Sequence, residues 1–180
     1  MKRYAFLTAV LLTVMAAPAS AGCSGEEATL FSCATTDDIH TIMVCGIRDS
    51  AADGFQSIRY VYGTDETEEL SFPENRRDGR DALHFSHHYT SAGYNWSLRF
   101  DNGNYRYRVF FVSQPEDDDP DTIVGPDAGV EVWRRKKKIA TVMCGERPYA
   151  LPDDIRRATS CDADTPVGEA GCAETPPERK

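Results

Sequence analysis

Residues 94–114 alternate apolar and polar side chains along two runs, interrupted at Asp101-Asn102-Gly103-Asn104. Trp96, Leu98 and Phe100 alternate with Ser97 and Arg99, and Tyr105, Tyr107, Val109 and Phe111 alternate with Arg106 and Arg108. A period of two sends successive side chains to opposite faces of a strand, and Asn-Gly tolerates the positive φ of a type I′ turn. The stretch reads as a long β-hairpin with one continuous apolar face, so any fold must bury that face against something else. With Asn102 and Gly103 as the turn, the expected register sets Phe100 opposite Tyr105, Arg99 opposite Arg106, Leu98 opposite Tyr107 and Trp96 opposite Val109. The polar face then carries Arg99, Arg106 and Arg108 together. Their mutual repulsion calls for a carboxylate such as Glu131 or Glu69, or for solvation of the arginine heads. The alternative is a site for an acidic or phosphorylated partner, because the guanidinium fork fits such groups.

Ahead of this hairpin, Met1-Lys2-Arg3, a mostly apolar run over 4–17 and Ala19-Ser20-Ala21 have the order of a secretory signal peptide, assigned to 1–21. The apolar run falls short of the roughly 20 residues a membrane span needs, and no other stretch reaches that length. The signal is bacterial in style, which places the mature chain in the periplasm or outside a Gram-negative cell. Ser20-Ala21-Gly22-Cys23 ends as a lipobox does but has Ser where Leu is usual, so a lipid on Cys23 is not expected.

Removing Lys2 and Arg3 with the signal takes the formal charge from −9 to −11. Such a chain disfavours nucleic acid and anionic membrane, both of which reward positive charge, and suits a basic protein partner. All six cysteines, Cys23, Cys33, Cys45, Cys144, Cys161 and Cys172, lie in the mature part, and an even number in an exported chain argues for three disulfides. Cys33 and Cys45 could pair with each other, or either could reach Cys23 or Cys144. No Cys-x-x-C pair supports redox or zinc chemistry, and no cofactor is expected.

Short strands are expected over 28–33, 41–47, 54–62, 69–72, 83–90, 129–135 and 138–144, besides the two arms of the hairpin. About eight strands with a single short helix near Pro152-Asp153-Asp154 make an all-β antiparallel sandwich or barrel. Its disulfide-bonded domain spans 22–160, and 161–180 is a Pro- and Glu-rich tail, disordered unless Cys161 and Cys172 staple it. Residues 74–81 read as an exposed charged loop, and 115–121 as an acidic loop that Pro115 and Pro120 keep out of a sheet interior.

His84, His87 and His88 share one strand, with His40 elsewhere. His84 and His88 stand about 13 Å apart on a strand, so metal binding would need His40 to join them from a neighbour, and a metal site is the weaker reading. The acidic loop lacks the spacing of a calcium loop. The run Arg134-Arg135-Lys136-Lys137-Lys138 is a hairpin tip kept soluble by charge, or a handle on anionic envelope material. No Gly-x-Ser-x-Gly elbow is present, and nothing names a pair of catalytic carboxylates, so the chain is not expected to be an enzyme.

Cys-Ser-Gly-Glu-Glu-Ala-Thr-Leu-Phe-Ser-Cys at 23–33, Tyr-Arg-Tyr-Arg-Val-Phe at 105–110, Ala-Gly-Val-Glu-Val at 128–132 and Ala-Thr-Val-Met-Cys at 140–144 resemble a group of uncharacterised exported proteobacterial proteins. That resemblance, over 22–146, implies export and a β-rich domain. In overall plan the chain is also similar to periplasmic lysozyme inhibitors, small disulfide-bonded β-proteins that insert a Ser-Gly-x-Tyr loop into a lysozyme active site. Here Ser91-Ala92-Gly93-Tyr94 has the residues in another order. The resemblance implies a protein-binding or inhibitory module; a basic partner is expected at Ser91, Gly93 and Tyr94, and an acidic one at the Arg99, Arg106 and Arg108 face. A structural envelope protein is the remaining alternative, with an exposed apolar patch as its sign.

Overall fold

The computed structural model describes residues 22–50, 54–90, 93–116, 119–145, 147–165 and 171–172. The signal segment, Ser91 and Asp117-Asp118 lie outside the described residues. In chain order the strands are β1 (Glu27–Ala34), β2 (Thr41–Arg48), β3 (Phe55–Gly63), β4 (Glu68–Phe72), β5 (His84–Thr90) and β6 (Gly93–Asn102), then β7 (Tyr105–Glu116), β8 (Asp119–Arg134), β9 (Lys137–Met143), β10 (Tyr149–Ala150) and β11 (Ser160–Cys161). A 3-10 turn at Arg76–Asp78 leads into helix α1 (Gly79–Ala82), and helix α2 (Pro152–Ala158) precedes β11. One sheet has the order β10-β1-β2-β3-β4 and the other β11-β5-β6-β7-β8-β9. The two sheets share one core and do not close on each other, so the fold is an all-β sandwich.

Alternation along the strands supplies the core. Phe31, Ile42, Val44, Ile58 and Tyr60 from the first sheet meet Phe85, Trp96, Leu98, Phe100 and Val109 from the second. Phe31 stands edge-on to Trp96 with centroids 5.5 Å apart, Tyr60 lies 5.0 Å from Phe100, and Phe72 stacks on Phe100 at 4.6 Å. Burying each such side chain stabilises the fold by about 2 kcal/mol. Helix α2 adds Ile155 and Ala158 to the core, with Pro152 at its first turn and Asp153 and Asp154 at its positive end.

The disulfides are Cys23–Cys45, Cys33–Cys144 and Cys161–Cys172. Cys33 and Cys45 do not pair: Cys33 sits opposite Ile42, Cys45 sits opposite Thr29, and they point to opposite faces of the first sheet. Cys33–Cys144 ties β1 to the end of the β8–β9 hairpin and so joins the two sheets. Cys23–Cys45 pins the N-terminal segment over the outer face of the first sheet and uses the sulfur that a lipid anchor would need. Three disulfides belong to an oxidising compartment, and among the described residues no helix is long and apolar enough to cross a membrane.

Beneath that N-terminal segment lies Arg59, only 2% exposed. Its guanidinium makes 2.8 Å bonds to both carboxylate oxygens of Glu27 and to Glu68, and donates to Ser71 Oγ and the Gly22 carbonyl at 3.0 Å. Burial works against this charge, but Glu27 and Glu68 outweigh it and raise the Arg59 pKa above its ordinary value.

Several local expectations are corrected. The turn of the central hairpin is Gly103-Asn104, with φ of 61° at Gly103 and no positive φ at Asn104, the pattern of a type II′ turn with Gly first. The register therefore slips by two residues, setting Phe100 opposite Tyr107, Leu98 opposite Val109, Trp96 opposite Phe111 and Asp101 opposite Arg106. This register stacks Phe100 on Tyr107 at 4.9 Å, sets Arg106 against Asp101 as an ion pair, and brings Arg108 rather than Arg106 opposite Arg99. Residues 74–81 are not simply an exposed loop, because α1 packs Gly79 directly on β3. The acidic stretch is the end of the β7–β8 hairpin, where Pro115 pairs with Ile123 and Glu116 with Asp119.

A Cβ on Gly79 would stand 1.9 Å from the Ile58 carbonyl oxygen, which is backbone and cannot swing aside. Gly79→Ala is expected to lower stability by about 1–3 kcal/mol, read as a lower urea midpoint of the oxidised protein.

Candidate functional site

The outer face of the second sheet collects the polar side chains of the central hairpin and its neighbours. Each of the three arginines there meets a carboxylate of the chain itself. Arg99 grips Asp162 with Nε–Oδ2 and Nη2–Oδ1 bonds of 2.8 and 2.9 Å and touches Asp101 at 3.3 Å. Arg106 binds Asp101 at 2.7 and 3.0 Å. Arg108 donates to Glu131 at 2.9 Å, and Lys138 holds the other oxygen of Glu131 at 3.0 Å. The Arg106 hydrogen bond holds the Asp101 carboxyl below its ordinary range. Burial would raise the Glu131 carboxyl, but Lys138 and Arg108 outweigh burial and lower it. Glu131 is thus the partner the sequence suggested for this face, Glu69 is not, and Asp162 was invisible because it follows the last long strand by many residues.

Asp162 is placed by β11, which pairs in parallel with β5 and carries the chain over the outer face. Thr165 continues this path and meets Ser86 Oγ at 3.1 Å, while Cys161–Cys172 closes the segment. Between Thr165 and the outer side chains of β7 lies a groove of about 300 Å³. Ser86, Asn95 and Ser97 contribute polar groups, Phe110 and Val112 an apolar wall, and His88 and Arg108 its charged or titratable edge. Asn95 is buried, and its Oδ1 accepts the Ser113 amide at 2.8 Å, which fixes that wall in place. The sequence signal for the groove was Phe110-Phe111: adjacent rings on a strand must face opposite ways, so one of them had to stand on the polar face.

At the β5–β6 end, Tyr89 pairs with Tyr94, their rings 5.0 Å apart, and both lie against His87 at 5.7 and 5.3 Å. Tyr89 is 45% exposed. Burial raises the Tyr94 hydroxyl pKa well above its usual range, so it stays a neutral hydrogen-bonding group. Gly93 opens β6 with φ of 123°, a value that favours glycine, and pairs with Thr90. Ser91 of the expected contact loop lies outside the described residues.

As alternation required, His87 points inward and His84 and His88 outward. His87 Nδ1 is buried with no hydrogen-bond partner among the described residues. His84 Nδ1 meets Ser160 Oγ at 2.8 Å. His40 lies in the β1–β2 connection at the other sheet, clamped by Asp37 at 2.6 Å and Glu69 at 3.1 Å and stacked on Tyr62. His40, His84 and His88 therefore do not converge, and among the described residues no three His, Cys, Asp or Glu side chains are set to hold a metal.

Compared with protein-family models, curated proteins and solved structures, the chain matches none. What the site can do rests on its own geometry: two aromatic rings at a sheet end on the inner face, and on the outer face a small groove whose neighbouring charges are internally paired.

Two predictions follow from the charges. Asp162→Ala removes the two-bonded partner of the largely buried Arg99, leaving it Asp101 at 3.3 Å and Asp164 at 3.8 Å, and should cost about 1–3 kcal/mol, seen in urea unfolding. The two inward or clamped histidines should titrate on opposite sides of the ordinary 6.5. The Asp37 hydrogen bond raises His40, whereas burial and then Arg156 lower His87. The stabilisation from His40 is complete below 6.5 and lost as pH rises through its folded value; His87 destabilises the fold as pH falls from 6.5 toward its own lower value. Ring-proton NMR titration checks both signs.

Proposed function

We propose that the chain is an exported, periplasmic binding module that takes a protein partner, in an inhibitory manner like that of periplasmic lysozyme inhibitors. The carrying observation is the Tyr89–Tyr94 pair at the β5–β6 end, packed against His87 on the inner face with Tyr89 45% exposed, on the opposite side of the sheet from His88 and Asn95 of the groove. Tyrosine serves as an interface anchor because it contributes a large contact area and a polar tip at small cost in side-chain entropy. A disulfide-tied sandwich holds those rings before the partner arrives, which reduces the ordering cost of binding.

Charge supports a basic partner. The chain has a formal charge of −9, which favours a cationic approach in general, while the Asp153 and Arg156 charges of α2, paired at 3.8 Å, act on Tyr94 in opposite senses. The arginine face supports the reading less well, because Arg99, Arg106 and Arg108 already hold carboxylates of the chain. An acidic partner would have to displace Asp162, Asp101 and Glu131.

The test is affinity capture from periplasmic and host-secreted proteins on the oxidised mature protein, followed by binding of each purified captured protein, with basic lysozymes included from the start. Tyr94→Ala should weaken binding roughly tenfold or more, and Arg106→Glu, at the other end of the strands, should leave it unchanged. Binding insensitive to Tyr94→Ala would remove this surface from consideration.

A further inference from the structure

The opposite end of the second sheet has a different chemistry. The β6–β7 turn at Gly103-Asn104 and the β8–β9 turn at Arg135-Lys136 lie at the same end of the sheet, because Tyr105 pairs with Arg134. Arg134, Arg135, Lys136 and Lys137 are all exposed there, and none of them has an ion-pair partner among the described residues. The other nearby cations differ: Arg106 is held by Asp101 and Lys138 by Glu131. Arg135 takes φ of 58° to make the tight turn, which thrusts the unpaired charges outward together.

Apolar surface flanks these charges. Tyr105 is 37% exposed under the Arg134 guanidinium, 5.7 Å from its ring, and Ile139 is 50% exposed on the adjoining strand. Lys138 Nζ stands 5.9 Å over the Trp133 ring. The tip is therefore convex, cationic and edged with amphipathic rings and an aliphatic side chain. Lysine and arginine beside Tyr and Trp are the side chains that settle at a bilayer interface, the cations at the headgroups and the rings just below.

We propose that this tip docks the protein on an anionic phospholipid bilayer. The argument is charge complementarity sharpened by the rest of the molecule. The chain carries a formal charge of −9, so an anionic surface repels it in most orientations, and the unpaired cations of this tip supply an attractive approach. A flat surface suits a convex tip, whereas a long soluble polyanion is best tracked by a stripe of charge, which one hairpin end does not provide. Each basic residue at such a surface strengthens binding roughly fivefold at ordinary salt.

The experiment is sedimentation of the oxidised mature protein with vesicles of phosphatidylcholine, with and without phosphatidylglycerol. Binding is expected only with phosphatidylglycerol, falling as salt is raised. The double variant Lys136→Glu/Lys137→Glu should weaken it by at least about 25-fold, and Ile139→Ser by a few-fold. Both variants change exposed residues, and an unchanged urea midpoint will verify that they fold. Tyr94→Ala should bind vesicles like the parent, which separates this surface from the protein-binding one. Absence of phosphatidylglycerol binding, or a double variant that binds like the parent, overturns the proposal. So does capture of inorganic polyphosphate without vesicle binding, which would reassign the tip to a soluble polyanion.

Discussion

The contact between the inner faces of the two sheets is what the rest of the structure depends on. Phe31 against Trp96, and Tyr60 and Phe72 against Phe100, lock strands from distant parts of the chain into one apolar layer. The groove and the arginine pairs lie outside that layer and are oriented by it, and Tyr94 packs at its edge. Because Trp96 and Leu98 must face inward, Asn95, Ser97 and Arg99 must face out; because Val109 is buried, Arg108 and Phe110 are presented to solvent. Cys33–Cys144 reinforces the same contact by joining the sheets covalently, and a cross-link between residues far apart in sequence restricts the unfolded chain the most.

A second theme is the disposal of charge. The chain buries or half-buries several arginines, and each is met by an acid from another element: Arg59 by Glu27 and Glu68, Arg99 by Asp162, Arg108 by Glu131. Such pairs contribute little net stability relative to an apolar replacement, yet breaking one is costly. They serve to fix segments that have few apolar side chains of their own. Arg59 holds the N-terminal segment through Glu27 and the Gly22 carbonyl, and Arg99 holds the stretch after β11 through Asp162.

Much of the fold was legible in the sequence because period-two alternation survives local error. The two-residue slip of the central hairpin changed every cross-strand neighbour yet left every side chain on its expected face, since an even shift preserves the alternation. The turn itself was misread because Asn-Gly and Gly-Asn both suit hairpins and differ in which residue takes positive φ. What the sequence hid was long-range. Arg59 lies on β3 between Ser57 and Val61, where a charged residue among small and apolar neighbours hinted at burial, but only the fold reveals that Cys23 is drawn across it. Gly79 gave no sign of its contact with Ile58, because a glycine among arginines and aspartates looks like a turn. The candidate contact surface was half legible: Tyr94 and Gly93 fell at an exposed sheet end, while the arginines proved to be internally paired and the groove came from Phe110 and the distant Thr165.

The separation of the two ends along the strands has a consequence for the molecule as a whole. Unpaired cations crowd the Arg134–Lys137 turn, while the chain as a whole carries a formal charge of −9. A cluster of positive charge at one extremity of a net-negative body gives it an electric dipole whose positive end is that turn. In the field of a negatively charged wall, such a body experiences a torque before it makes any contact. It would arrive with the tyrosine pair turned outward, so its rotational freedom would be restricted by the surface rather than by the partner.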